Sequence, residues 1–105
     1  MSSESATPSE DERWMTINGR RWRRTDPVLP ADLVTRLKTH LGRGRSGVGV
    51  AQRAEDAAAV AAARTRVGLA KTGLGERGPY WWRRPEADRL SQAEDALRQL
   101  DQLED

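Results

Sequence analysis

The 105-residue chain has no cysteine, no phenylalanine, a single histidine, and no apolar run near the ~20 residues of a membrane span. Each absence removes a class of protein. Without cysteine there are no disulfides and no thiolate metal sites, and His40 cannot build a zinc site alone. The polar, acidic start, MSSESATPSEDE, is the opposite of a signal peptide, so the expectation is a cytoplasmic protein with no membrane contact. His40 has no nucleophile to serve, and no acidic pair has a spacing that argues for acid–base work. No enzyme, cofactor, metal or small-molecule ligand is therefore expected. Bulk is also short: hydrophobic residues make up 36% and charged residues 32%, close to the border between folding and disorder. A folded unit of roughly 70 residues buries only about 60% of its unfolded surface, which leaves tight packing or self-association to support it.

What the chain does have is arginine, unevenly placed. The net charge of +2 divides into −4 over residues 1–12, +11 over residues 13–84 and −5 over residues 85–105. Of the 16 cations in the middle stretch, 14 are arginine. The reading is a disordered acidic tail at 1–12, one compact basic module at 13–84, and an acidic amphipathic helix at 85–105.

Within the module, RWMTINGRRWRR (13–24) reads as a β-hairpin, because Asn18-Gly19 suits the positive φ angles of a type I′ turn. A two-residue loop sets Ile17 opposite Arg20, Thr16 opposite Arg21, Met15 opposite Trp22 and Trp14 opposite Arg23. Met15, Ile17 and Trp22 then form the face expected to be buried. Trp14 and Arg23 are expected to make a cation–π contact on the other face. TDPVLP (25–30) is a stiff connection. Leu33, Val34, Leu37 and Leu41 predict a first helix over 30–41 ending at Gly42, followed by a Gly-rich basic loop at 42–49 and an Ala-rich second helix over 50–72. GLGERGPYWWRRP (73–85) reads as a turn-rich segment whose three aromatics close the core. Leu90, Ala93, Leu97 and Leu100 give the third helix, 86–104, an a/d-like seam.

Five constellations follow. Gly42, Gly44 and Gly47 match G-x-G-x-x-G in letters, but no strand precedes them, so they read as a helix–helix linker. Arg20, Arg21, Arg23 and Arg24 on the hairpin, with Arg43 and Arg45 beyond it, form the candidate nucleic-acid-binding set, since guanidinium groups pair with phosphates. Tyr80-Trp81-Trp82 read as core more than as a stacking edge. His40 lies at the border of an apolar face. The acidic helix can dimerise, dock on the basic middle and mask it, or stay solvated.

The run Trp14…Gly19-Arg20-Arg21-Trp22-Arg23…Thr25-Asp26-Pro27-Val28-Leu29-Pro30, followed by Leu74-Gly75-Glu76-Arg77-Gly78-Pro79-Tyr80-Trp81-Trp82, resembles a family of small bacterial proteins frequent in actinobacteria. The resemblance covers residues 13–84 and implies one module and a bacterial source, with no activity attached. Such sequences sometimes carry the label of a Tol-type biopolymer transporter, which a chain without a membrane segment or signal does not support. Between its helices, at Gly42–Gly49, this chain departs from the family pattern by what reads as an insertion.

The expected fold is α+β, mainly α: an N-terminal β-hairpin packed on an antiparallel helix pair, with a peripheral C-terminal helix. The expected function is non-enzymatic, largely non-specific binding of DNA or RNA through arginine–phosphate contacts. The alternative is a protein-interaction adaptor, or a homodimer, using exposed tryptophans and the seam of Leu90, Leu97 and Leu100.

Overall fold

A computed structural model describes residues 8–103, so the first seven residues of the expected acidic tail lie outside the described residues. Ser9 caps a single helical turn, α1 (Glu10–Arg13): its hydroxyl accepts from the Glu12 N–H, and the Glu12 carboxylate accepts from the Ser9 N–H at 2.7 Å. This reciprocal pairing is a capping box. The Ser9 backbone N–H, then its hydroxyl, hold the Glu12 carboxyl below its usual range.

The hairpin has the expected register. β1 (Trp14–Ile17) and β2 (Arg20–Arg23) pair with Met15 opposite Trp22 and Trp14 opposite Arg23. Asn18 and Gly19 take φ of 53° and 79°, as a type I′ turn requires. The burial is not one-sided as expected. Ile17 is 50% exposed, while Met15, Trp22, Trp14 and Arg23 are all half-buried. The ribbon is covered on both faces, by Lys71 over Trp22 and by Tyr80 and Trp82 against Trp14.

The predicted break at Gly42 does not occur. α2 (Ala31–Arg53) is one helix of 23 residues running straight through the Gly-rich stretch. Glycine lowers helix stability by about 1 kcal/mol per residue relative to alanine, but two of these glycines are needed for packing. A Cβ on Gly44 would stand 2.7 Å from Val67 Cγ2 and 3.2 Å from the Ala63 carbonyl oxygen, and one on Gly47 would stand 3.2 Å from Ala63 Cβ. The glycines let α3 (Ala57–Gly73) approach to backbone contact. The reversal between the helices falls instead at residues 54–56. Glu55 adopts φ 55°, and the N–H groups of Glu55 and Asp56 bond back to Gln52 and Ala51 in a Schellman arrangement. Asp56 then caps α3 by accepting from Ala59 N–H. A non-glycine residue in the left-handed region is why this turn was not legible.

After α3, Gly75 (φ 80°) closes a second Schellman turn. A 3₁₀ turn at Trp81–Arg83 leads to α4 (Glu86–Asp101). The fold class is as expected: mainly helical, with the hairpin on an antiparallel helix pair. The C-terminal helix, however, forms part of the core. Ala93, Ala96, Leu97 and Leu100 pack in one cluster with Leu29, Leu33, Leu37, Leu41, Ala70 and Leu74. A Cβ on Gly73 would stand 2.8 Å from Ala96 Cβ, so α4 lies closely over this end of the helix pair. Of the three aromatics expected to close the core, Trp81 is buried, Tyr80 is exposed and Trp82 is half-buried.

A candidate nucleic-acid interface

The two motif stretches, TDPVLP and LGERGPYWW, meet in space and are fastened by α4. Asp26, 3% exposed, takes a two-pronged ion pair from Arg89 (Nη2 2.6 Å, Nε 2.8 Å) and also accepts from the Val28 N–H. The hydrogen bond to Asp26 raises the Arg89 pKa above its ordinary value against the opposing effect of burial. Arg89 also lies 5.3 Å from the Trp81 ring centre, and the Trp81 indole N–H donates to the Arg24 carbonyl at 3.0 Å. A Cβ on Gly75 would stand 2.9 Å from Asp26 Cβ and 3.2 Å from Trp81, so glycine is required there by both space and φ. Much of this constellation is therefore structural.

Three of the six predicted arginines have partners within the protein. Arg23 Nη1 donates to the carbonyls of Gly75 and Pro79 at 3.1 and 3.2 Å, and its guanidinium stacks 4.7 Å from the Tyr80 ring. Burial pulls its pKa below the ordinary arginine value, with Tyr80 acting the other way. Arg24 Nε donates to the carbonyls of Asp11 and Trp14. Arg21 pairs with Glu10 at 3.1 Å and lies 4.3 Å from the Trp14 ring centre, so Trp14 takes its cation from the diagonal position and not from Arg23 as predicted.

The remaining three divide. Two residues along a helix turn the side chain by about 200°, so Arg43 and Arg45 project from opposite flanks of the Gly44 contact. The same rotation separates Gly73 from Lys71. α4 covers the flank of Gly73, which turns Lys71 away from it. On that second flank Arg45, Lys71 and Arg77 gather: burial first, then Arg45 and Arg77, lower the Lys71 pKa below its ordinary value, with Glu76 acting the other way. Lys71 Nζ lies 5.1 Å and Arg20 Cζ 4.7 Å from the centre of the same Trp22 ring. Arg77 Nη1 reaches across α3 to within 3.4 Å of where a Gly68 Cβ would stand. Among the described residues no carboxylate pairs within 4 Å with Arg20, Arg45, Lys71 or Arg77.

No family model matches the chain, and no curated protein or solved structure matches it either.

Lys71 thus has Arg45 and Arg77 beside it and shares the Trp22 ring with Arg20, and two of these four, Lys71 and Arg77, are residues the sequence reading missed. The missed signal was helical phase across α2 and α3, hidden because α2 was broken at Gly42. The acidic helix docks on the module, but among the described residues none of its carboxylates pairs with this flank. Two of its carboxylates engage elsewhere: Asp101 pairs with Arg36 at 2.7 Å and His40 at 2.9 Å, and Asp95 pairs with Arg98. His40 is buried between Asp101 and Arg66, whose guanidinium donates to Nδ1 at 2.8 Å. Arginine cannot accept, so Nδ1 is the acceptor and Nε2–H donates to Asp101. That chain of bonds ties α2, α3 and α4 together. The adaptor seam is also used internally: Leu97 is 6% and Leu100 0% exposed, and Leu90 packs against the same core. Among the described residues, no group of three or more His, Cys, Asp and Glu could hold a metal, and no helix is long and apolar enough to cross a membrane.

Proposed function

We propose that the protein binds the phosphate backbone of nucleic acids, without sequence preference, through Arg20, Arg45, Lys71 and Arg77. What supports this reading is the placement of Lys71 beside Arg45 and Arg77 on the flank opposite α4, with Lys71 and Arg20 on the same Trp22 ring and no carboxylate among the described residues paired with any of the four within 4 Å. Like charges held together, with Glu76 alone opposing them, raise the energy of the ligand-free protein, and a polyanion relieves that repulsion. The tryptophans contribute packing, not base stacking: Trp81 is buried, Trp14 and Trp82 contact each other, and Trp22 already carries Arg20 and Lys71. With no base-edge reader on this flank, affinity comes from counterion release.

Fluorescence anisotropy with a labelled DNA duplex, titrated at several salt concentrations, tests the reading. Four phosphate contacts give a slope of log affinity on log salt of about −3.6, at ~0.9 per contact. Lys71→Gln reduces that slope by about one and, because it removes a crowded charge, raises the thermal midpoint of the free protein. Arg24→Gln, which removes only internal bonds, leaves the slope unchanged. Absence of binding at ~50 mM salt, or an unchanged slope in both Lys71→Gln and Arg77→Gln, removes the proposal.

A further inference from the structure

β1 and β2 form a ribbon whose cover fades toward its tip. Directly opposed residues of an antiparallel pair share a face, and alternate residues return to it. Met15 opposite Trp22 and Ile17 opposite Arg20 therefore lie on one face. That face looks toward α3, because Lys71 Nζ stands 5.1 Å from the Trp22 ring centre. Met15 and Trp22 are half-buried there, whereas Ile17 is 50% exposed and residues 16–20 are all exposed. The tip thus stands clear of the helix pair, and Ile17 lies outside the hydrophobic cluster of the described residues. An isolated two-stranded hairpin is marginal, but this one is fixed at its base. Trp14 meets Tyr80 and Trp82 edge-on, and Arg23 and Arg24 donate to the carbonyls of Gly75, Pro79 and Asp11. Asn18 and Gly19 hold the angles of a type I′ turn, so Ile17 is presented by a backbone of one defined shape.

We propose that the hairpin tip enters the minor groove of duplex DNA, where Ile17 wedges between two stacked base pairs and kinks the duplex. The proposal rests on backbone binding by Arg20, Arg45, Lys71 and Arg77, and adds the shape that the bound DNA takes. Phosphates drawn to Arg20 and Lys71 bring the duplex against the face that Ile17 shares with Arg20. Reading base edges in the major groove calls for donors and acceptors. On this face Arg20 is stacked 4.7 Å from the Trp22 ring centre and Ile17 has no polar atom, while Thr16 and Arg21 lie on the other face. Isoleucine offers shape and apolar surface alone, which is what unstacks a base step in minor-groove proteins that bend DNA. Its β-branch leaves the side chain stiff at χ1, so little rotamer freedom is lost on insertion. The cost of unstacking is offset by the phosphate contacts around it.

The test uses the full chain and a short DNA duplex with a donor and an acceptor dye at its two ends, made once fully paired and once with a central mismatch. The parent raises energy transfer between the ends, as a kink of about 20° or more requires. It binds the mismatched duplex about tenfold more tightly, because a mismatched step is easier to unstack. Ile17→Thr keeps a β-branched residue in the strand at an exposed position. Its thermal midpoint and its salt slope, which counts charge contacts, therefore stay those of the parent, while the rise in energy transfer and the preference for the mismatch are lost. Ile17→Leu, still an apolar wedge, keeps both. The wedge is overturned, with backbone binding intact, if the parent binds with its salt slope but leaves energy transfer unchanged or does not distinguish the two duplexes. It is overturned equally if Ile17→Thr bends the duplex as the parent does, or if Ile17→Leu fails along with Ile17→Thr. Absence of any binding at ~50 mM salt removes backbone binding itself, and the wedge with it.

Discussion

The two ends of the α2–α3 hairpin are built differently. At the end near the β-hairpin, α2 presents Leu33, Leu37 and Leu41, α3 presents Ala70 with Leu74 just past its end, and α4 fills the third side with Leu97 and Leu100. At the far end α2 presents Gly44, Gly47 and Ala51 to Val67 and Ala63, and no third helix among the described residues covers the pair. The near end is held by apolar area at roughly 25 cal/mol per Å². The far end is held by backbone proximity, which buries little area per residue but requires glycine where the helices touch. One pair of helices thus provides a rigid anchor and an open platform.

The largest expected effect lies at the near end. Asp26→Ala leaves the Arg89 guanidinium, with 13% of its side chain exposed, facing an empty site. Breaking one partner of a buried pair typically costs about 3–5 kcal/mol, read as a loss of that size in denaturant unfolding. A smaller loss for Asp26→Ala than for Leu37→Ala would mean that apolar packing, not the ion pair, fastens the motif stretches to α4. Leu37→Ala, at a site with no exposure, is expected to cost about 3 kcal/mol from lost transfer energy and the cavity left behind.

How much of this was legible in the sequence depends on how local each cause was. The hairpin register followed from Asn18-Gly19 alone, because the turn type fixes pairing on both sides. The fold class followed from the Leu spacing of α2 and α4. The continuity of α2 did not, because glycine's low helix propensity is overridden here by a contact with Val67 and Ala63 that no local pattern announces. Once α2 was divided at Gly42, Arg43 and Arg45 were assigned to one mobile loop, and the shared flank of Arg45 and Lys71 was lost. Half of the predicted arginine set has contacts that no local pattern announces: Arg21, Arg23 and Arg24 look like solvated cations in sequence, yet their partners are Glu10 and the carbonyls of Gly75, Pro79, Asp11 and Trp14.

At the far end the glycines separate by sign. A Cβ on Gly44 would meet the Val67 side chain at 2.7 Å and its backbone nitrogen at 3.1 Å, so the helices must move apart. Gly44→Ala is expected to destabilise by about 1–2 kcal/mol as overpacking. Gly42, with no such neighbour within 4 Å, is expected to gain about 0.5–1 kcal/mol as alanine from the lower entropy of the unfolded chain. Thermal midpoints moving in opposite directions for the two variants would confirm that close approach, not flexibility, holds glycine at Gly44. Equal gains would mean the helices are further apart there than the contacts indicate.

The smallest effect concerns the turn that joins the two helices. Glu55 holds φ 55° in a Schellman turn, a conformation that disfavours residues with a Cβ by about 1–2 kcal/mol. Glycine relieves that strain, although it adds about 0.4–1 kcal/mol of unfolded-chain entropy. The net expectation for Glu55→Gly is a gain of about 0.5 kcal/mol, a rise of a few degrees in thermal midpoint for a domain of this size. Because the turn has no covering helix, the gain should also appear as slower amide exchange at residues 51–59, with no change near Leu37. A gain spread evenly over both ends would mean that the hairpin opens as one unit and that the far end is no looser than the near one.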